Sequence, residues 1–311
     1  MIAFVLSGGG NRGALQVGAL QVLLERDVRP DMLVGTSAGA LNAAFLASDP
    51  TSAGTQQLAE VWKRVTKEDI CPGSRLSVLW RLIRNCESLY PNTNLQRFLR
   101  RYLRAARLKY FGDITSGVRL YIVAARLDTG AARVFGDNPN DLLLDALMAS
   151  TALPPVYPPW RCNGVAYIDG AVAADLPVRI AVERGAREIY ALHINSPFQP
   201  NRRLRGVLDI TSRALSALLQ QRYQYDLQVV TEWPNVKLHY IPLLAYGEVP
   251  LWDLHHTAAM IAEGRAVMEA YLDTLVSPQA TWEHPWRRAG RERWDRVRQV
   301  FSRAVSPRHT R

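Results

Sequence analysis

Residues 4–20 read FVLSGGGNRGALQVGAL, an apolar run followed by a glycine-rich loop and then by a helix-like pattern. The apolar run predicts a short buried parallel strand from Ile2 to Leu6, and the later pattern predicts a helix from Gly13 to Arg26. The loop contains the spacing G-x-G-x-x-G, formed by Gly8, Gly10 and Gly13. Between a strand and a helix, this spacing is typical of a loop that binds dinucleotide phosphates. The alternative is a loop that stabilises a negative charge formed only during a reaction.

A serine follows the second predicted strand. That strand, Met32 to Val34, ends in Gly35-Thr36-Ser37-Ala38-Gly39, and an apolar helix follows from Ala40 to Ala47. A G-x-S-x-G sequence between a strand and a helix is the context of a nucleophile elbow, because the strained turn exposes the serine hydroxyl. An ordinary helix N-cap is the alternative role for Ser37. The first fifty residues therefore predict a β-α-β-α unit with a parallel sheet covered on both faces.

The second strand also separates the two interpretations of the glycine loop. A dinucleotide site needs an acidic residue at the end of that strand, whereas Asp27 and Asp31 precede it. The serine elbow stands there instead, which favours a reaction over a bound dinucleotide. An α/β-hydrolase usually places its elbow after several strands, with Asp and then His following. A histidine base stays open here, because His193, His255 and His256 lie downstream.

The rest of the chain predicts one α/β domain over residues 1–276. The predicted strands are Val118 to Arg126, Ala132 to Phe135, Val165 to Ile168, Glu188 to Ile194 and Val236 to Ile241. The predicted helices are Asn140 to Ser150, Pro177 to Arg184, Val207 to Val230 and His256 to Leu275. Aromatic residues among many arginines predict an inserted helical segment with a basic face at about 70–112. Residues 277–311 predict a basic, Trp- and Arg-rich helical tail.

Four short motifs occur in order along the first 171 residues. They are Gly8-Gly9-Gly10-Asn11-Arg12-Gly13, Gly35-Thr36-Ser37-Ala38-Gly39, Ala149-Ser150-Thr151-Ala152-Leu153-Pro154 and Ile168-Asp169-Gly170-Ala171. Together they resemble the patatin-like phospholipase family. The resemblance implies a three-layer α/β sandwich with a central, mostly parallel sheet, and an acyl ester or phospholipid as substrate. It also implies a Ser-Asp dyad, with Ser37 as the nucleophile and Asp169 as its base.

The resemblance assigns the oxyanion hole to the glycine loop, residues Gly8, Gly9, Gly10, Asn11, Arg12 and Gly13. Backbone N–H groups of Gly9, Gly10 and Asn11 are the foremost candidates, and we expect Arg12 to hold the loop or to favour an anionic headgroup. An aspartate accepts a proton efficiently only when burial raises its pKa, and Asp169 follows an apolar strand. The family often has Asn where this chain has Asp175, so the hydrogen bonding near Asp169 stays open.

Composition indicates the kind of partner. The 311-residue chain is 48% hydrophobic and carries a net charge of +10, which favours anionic partners, either lipid headgroups or nucleic acid. Only the charge supports nucleic acid, since no nucleic-acid-binding motif accompanies it. The alternatives are a hydrolase of small soluble esters and a basic non-catalytic binding protein.

The location is predicted from what the sequence lacks. No apolar run approaches the ~18 residues that a membrane span needs, and no signal-peptide pattern precedes the glycines. The three cysteines show no metal-binding spacing, and we expect neither metal nor cofactor. We therefore expect a cytoplasmic protein, in which any contact with a membrane is peripheral and at an anionic surface. The alternative is that the basic insertion and the basic tail pack on the core or on another subunit.

Overall fold

The computed structural model describes residues 1–195, 206–231, 233–244 and 253–276. Within these ranges eight strands form a single sheet in the order β5-β6-β3-β2-β1-β7-β8, with β4 paired to β3. The strands are β1 Ile2–Leu6, β2 Met32–Thr36, β3 Arg119–Arg126, β4 Ala132–Phe135, β5 Trp160–Cys162, β6 Val165–Asp169, β7 Glu188–Asn195 and β8 Lys237–Leu244. Strands β1, β2, β3, β7 and β8 are parallel, whereas β4 and β6 run antiparallel to β3. The predicted, mostly parallel sheet is confirmed.

Helices cover this sheet along most of the chain. They are α1 Gly13–Glu25, α2 Ala38–Ser48, α3 Ser52–Arg64, α4 Lys67–Ile70, α5 Arg75–Ile83, α6 Thr93–Ala105, α7 Leu143–Ser150, α8 Ala171–Ala174, α9 Val178–Glu183, α10 Gly206–Thr231 and α11 Thr257–Val276. Short 3-10 turns occur at Gly10–Arg12 and Phe111–Asp113. Among the described residues, no helix is long and apolar enough to cross a membrane.

The sheet is buried on both faces. Alternate residues of its central strands, such as Val5, Val34 and Ala191, pack in one core cluster with side chains of α9 and α10. The residues between them, such as Phe4 and Leu33, are equally buried, and α1 and α2 lie against the strands. Because both faces are covered, the central strands are continuous apolar runs rather than alternating ones. The molecule therefore has three layers, as predicted.

Several predicted elements need correction. The helix predicted from Asn140 begins only at Leu143, because Asp141 accepts hydrogen bonds from Arg133 and from the backbone N–H of Gly136. Helix α3, the short strand β5 and the one-turn helix α8 were not predicted. The hairpin between β3 and β4 and the long helix α10 are confirmed.

The inserted segment is helical. Helices α5 and α6 lie within it, and α6 buries Leu95, Leu99 and Leu103. The predicted basic face is present on α6, where Arg97, Arg100, Arg101 and Arg104 are exposed.

The chain divides into two compact units, Met1–Glu269 and Ala270–Arg311. The predicted tail, 277–311, lies outside the described residues.

Candidate active site

Ser37 lies on the turn between β2 and α2. Its backbone has φ 54° and ψ −121°, a positive φ that is uncommon for a residue with a side chain. Gly39 allows this turn to pack closely, because a Cβ added there would lie 2.3 Å from the carbonyl oxygen of Leu6. The hydroxyl of Ser37 makes no capping bond to its own helix. Ser37 therefore occupies the N-cap position of α2 without capping the helix through its hydroxyl, and Gly35, Thr36, Ala38 and Gly39 form the turn around it.

Ser150, a buried serine, hydrogen-bonds the backbone of the turn at Ser37. The backbone N–H of Ser37 donates to Ser150 Oγ at 2.8 Å, and that hydroxyl donates to the carbonyl oxygen of Val123 at 2.6 Å. Thr36 Oγ1 donates to the carbonyl oxygen of Ala174 at 2.8 Å. The bridge through Ser150 thus joins the turn to β3, a role that the Ala149–Pro154 motif did not reveal in sequence.

Asp169 meets Ser37 because β6 runs back along β3. Register places Asp169 opposite Ala124, while Thr36 pairs with Val123 on the other side of β3. The last residue of β6 is therefore level with the serine turn. The Ser37 side chain lies close enough to this carboxyl group to lower its pKa, and Oδ1 of Asp169 accepts the N–H of Ala171 at 2.9 Å. The structure brings together the two residues that the motifs singled out.

Burial changes the acidity of Asp169. Its side chain is 1% exposed, and loss of solvation raises the pKa of this carboxyl from 3.8 to about 7. The neighbouring Ser37 side chain and the hydrogen bond from the Ala171 N–H lower this pKa, and the nearby charge of Asp175 raises it. A carboxylate with a pKa near neutral can accept and return a proton at physiological pH.

The glycine loop lies beside the same turn. A Cβ added at Gly8 would lie 3.4 Å from the Cβ of Ser37, so the loop and the serine are in direct proximity. Gly10 has φ 61°, a left-handed conformation that glycine adopts without steric cost. The loop then becomes a 3-10 turn that leads into α1, and the positive end of that helix faces the loop.

The hydrogen bonds within the glycine loop show which of its backbone N–H groups are free to bind an oxyanion. The N–H groups of Gly8, Arg12 and Gly13 donate to backbone carbonyl oxygens. The N–H groups of Gly9 and Gly10 have no acceptor among the residues that the structure describes. Arg12 is partly buried, and this burial lowers the pKa of its guanidinium. Among the predicted oxyanion donors, the N–H groups of Gly9 and Gly10 are therefore the best candidates in the described part of the chain.

Buried side-chain amides support the loop from below. Gln16 Nε2 donates to the carbonyl oxygen of Ser7 at 2.9 Å, and Asn42 Nδ2 donates to Gln16 Oε1 at 2.9 Å and to the carbonyl oxygen of Gly13 at 3.0 Å. Trp62 Nε1 completes the chain by donating to Asn42 Oδ1 at 2.8 Å. These groups join α1, α2 and α3 to the loop, and satisfied buried networks of this kind are rigid.

Asp175 extends the polar cluster away from Ser37. Its Oδ1 lies 2.8 Å from the place that a Cβ on Gly8 would occupy, and its Oδ2 lies 3.5 Å from Nε2 of His193. His193 is buried, and its Nδ1 shares a hydrogen bond of 2.8 Å with the Tyr240 hydroxyl. The departure noted at Asp175 therefore introduces a second carboxyl group next to Asp169.

The histidines left open by the sequence lie elsewhere. Among the described residues, no histidine hydrogen-bonds Ser37; His193 contacts Asp175, while His255 and His256 are exposed. Within the same residues, no group of three or more His, Cys, Asp or Glu side chains is arranged to hold a metal ion. In the part of the chain that the structure describes, Ser37 is thus bonded to the Ser150 hydroxyl and to backbone groups, with the Asp169 carboxyl beside it.

Known proteins are similar to this chain in sequence. The profile of the patatin-like phospholipase family matches residues 4–182, which include the glycine loop, Ser37 and Asp169. The uncharacterized protein YqhO of Bacillus subtilis (strain 168) is 27% identical over 293 residues, which are 86% of this chain and 97% of that protein. Patatin-like phospholipase domain-containing protein 6 of Mus musculus is 30% identical over 199 residues, or 63% of this chain and 14% of that protein.

A solved structure also resembles this chain. The crystal structure of VipD from Legionella pneumophila has a TM-score of 0.47 at 16% identity, covering 88% of this chain and 66% of that one. The family profile spans more than half of the chain and contains all four motifs. The chain therefore belongs to the patatin-like phospholipase family and is an ester hydrolase.

Proposed function

We propose that this ester hydrolase cleaves carboxylic esters of lipids through an acyl-serine intermediate, with Ser37 as the nucleophile and Asp169 as its base. One observation carries the proposal: a serine held at positive φ lies beside a buried carboxyl group whose pKa is raised to about 7. A purely structural contact needs neither the strained turn nor the buried charge, each of which costs about 1–3 kcal/mol or more.

Acylation begins with proton transfer to Asp169. Ser37 Oγ attacks the ester carbonyl carbon while Asp169 takes the hydroxyl proton, and the carbonyl oxygen becomes an oxyanion. The tetrahedral intermediate collapses as the bond to the alcohol breaks. Asp169 gives its proton to the departing alcohol oxygen, which leaves an acyl ester on Ser37 and an ionised Asp169.

Backbone donors in the glycine loop stabilise the oxyanion. The N–H groups of Gly9 and Gly10 are the best placed, with Asn11 next along the loop, since no described acceptor takes the first two. Loss of one such donor costs about 10²–10³ in rate in other enzymes. The dipole of α1 adds in the same sense because its positive end faces the loop.

Deacylation repeats the step with water. Asp169 accepts a proton from a water molecule that attacks the acyl carbonyl carbon, and the second oxyanion occupies the same donors. When the bond to Ser37 Oγ breaks, Asp169 returns the proton to that oxygen. The products are a carboxylic acid and an alcohol, and the enzyme returns to its starting state.

Family membership supports a lipid as the substrate. The family is named for phospholipases, and the mouse relative is named for its patatin-like phospholipase domain. We therefore take a phospholipid or lysophospholipid as the preferred substrate. A small soluble ester serves as a slower probe of the same chemistry, since it contains the reacting bond without the acyl chains.

Hydrolysis of a short-chain p-nitrophenyl ester and of a phospholipid panel, with products identified by mass spectrometry, tests the proposal. We expect Ser37→Ala and Asp169→Ala each to lose at least about 10³-fold in kcat while folding normally. Ser52→Ala and Asp128→Asn, at a helix start and on an exposed turn, are matched controls that should keep full turnover. Near-normal turnover by Asp169→Ala would overturn the dyad, and release of no fatty acid from any lipid would overturn the substrate class.

A further inference from the structure

Helix α5 turns an apolar stripe towards solvent. Leu76, Leu79, Trp80 and Ile83 are 77%, 52%, 54% and 68% exposed. Their spacing of i, i+3, i+4 and i+7 places them on one face of the helix. This face, the α5 stripe, is the reverse of the usual arrangement, in which the apolar face of an amphipathic helix packs on the core.

The opposite side of α5 makes polar contacts with the protein. Arg81 donates through Nε to the carbonyl oxygen of Ser88 at 2.9 Å and through a terminal nitrogen to Ser88 Oγ at 3.0 Å. Ser88 Oγ in turn donates to the carbonyl oxygen of Tyr90 at 2.8 Å. The helix is therefore held in this orientation by hydrogen bonds, and the exposed stripe is a built feature of the fold.

The segment that carries α5 is tied to the candidate active site. The N–H groups of Leu89 and Tyr90 donate to the carbonyl oxygens of Pro155 and Val156, each at 2.9 Å. The same loop begins at Ala152, whose carbonyl oxygen accepts the N–H of Asp169 at 2.9 Å. Whatever the α5 stripe contacts is thus brought next to the loop that borders Asp169.

The charges around the α5 stripe indicate the chemistry of the partner that it contacts. The guanidinium of Arg84 lies over the Trp80 ring, 4.5 Å from its centre, and is exposed. The one acidic side chain between Arg75 and Leu89, Glu87, is already paired with Arg161 at 2.9 Å. Exposed Leu, Ile and Trp side chains beside arginine match a lipid surface, where apolar groups enter the acyl boundary and guanidinium groups meet phosphates.

We propose that α5 is an interfacial docking helix that inserts the α5 stripe into the surface of an anionic bilayer. This inference rests on the proposed function, because it delivers the candidate site to a lipid ester in a membrane. The stripe enters the region between headgroups and acyl chains, with Arg84 at phosphate level. Docking through α5 raises the local concentration of substrate and leaves the chemistry at Ser37 unchanged.

Co-sedimentation of the full chain with large vesicles tests this inference. Vesicles of phosphatidylcholine alone are compared with equimolar phosphatidylcholine and phosphatidylglycerol, using the Ser37→Ala protein so that lipid is not consumed. We expect binding to the anionic vesicles, and at least about a tenfold loss of the partition coefficient in Leu76→Ser/Ile83→Ser. Leu127→Ser removes an exposed leucine from the β3–β4 turn and should bind normally.

Three results would overturn the inference. These are the absence of binding to anionic vesicles, equal binding by the stripe variant, and a lipid-free dimer that the stripe variant converts to a monomer. The last result would assign the stripe to a second copy of the chain. Hydrolysis of the short-chain ester by the stripe variant with active Ser37 should proceed at the normal rate, so failure of docking is distinguishable from failure of the proposed chemistry.

Discussion

Replacement of Asp169 by Asn should make the protein inactive and, above neutral pH, more stable. The carboxyl of Asp169 is buried, and its pKa rises from 3.8 to about 7 on folding. One pKa unit corresponds to about 1.36 kcal/mol, so ionising Asp169 costs roughly 4 kcal/mol more in the folded state than in the unfolded chain. Asn keeps the oxygen that accepts the Ala171 N–H and carries no charge to desolvate.

The sign of the pH dependence follows from proton binding. Below pH 3.8 the carboxyl is neutral in both states, and the free energy of unfolding carries no penalty. Between pH 3.8 and about 7 the unfolded chain releases the proton while the folded chain retains it, so stability falls as pH rises. Above pH 7 the penalty is constant. The stability advantage of Asp169→Asn should therefore grow by roughly 2–3 kcal/mol from pH 5 to pH 8.

Urea unfolding at several pH values measures this difference. The free energies of unfolding of the wild type and of Asp169→Asn are extrapolated to water at pH 5, 6, 7 and 8. Asp128→Asn is the control, because Arg126 lowers the pKa of Asp128 to about 2, below the whole range. Its effect should not change between pH 5 and pH 8. A difference for Asp169→Asn that is equally flat would refute a buried carboxyl with a raised pKa.

Three further changes test the supporting groups. Because Asp169 must be ionised to accept a proton, kcat/KM should rise about tenfold between pH 6 and pH 8. Asp175→Asn should move this rise to lower pH, because it removes a charge that raises the pKa of Asp169. An unchanged pH–rate profile in this variant would contradict the coupling between the two carboxyl groups. Ser150→Ala should destabilise the protein by about 1–3 kcal/mol and lower kcat about 10–100-fold, because the N–H of Ser37 loses its acceptor. Normal kinetics in this variant would show that the bridge through Ser150 does not position the nucleophile. Gly39→Ala should lower stability by at least about 1–3 kcal/mol in thermal unfolding, since its Cβ meets backbone at 2.3 Å. Gly112→Ala places a Cβ 3.3 Å from its nearest neighbour and should cost less.

The centre of the site could be predicted from sequence because short motifs there encode backbone geometry. The glycine loop and the turn at Ser37 follow the carboxyl ends of β1 and β2, which are parallel neighbours, and such ends meet at one edge of a sheet. The contact between Ser37 and Asp169 depends on the return of β6 along β3. Sequence patterns do not show pairing between distant strands, so the resemblance to the family provided that part.

Burial, by contrast, could not be predicted from periodicity. Thr55, Leu58, Ala59 and Trp62 on α3 are buried at spacings of i, i+3, i+4 and i+7. The α5 stripe has the same spacing and faces solvent. A period of 3.6 identifies an apolar face and does not reveal what covers it. The bridge through Ser150 and the contact between Asp175 and His193 were also hidden, because each joins residues far apart in sequence.

Covalent labelling with a fluorophosphonate tests most directly whether Asp169 activates Ser37. The folded protein is treated at pH 8, digested, and mapped by mass spectrometry, and the rate of labelling is measured for the wild type and for Asp169→Asn. We expect a single adduct on Ser37 in the wild type and labelling at least about 10²-fold slower in Asp169→Asn. An adduct on a different serine, or equal labelling rates at Ser37 in both proteins, would contradict the proposed dyad.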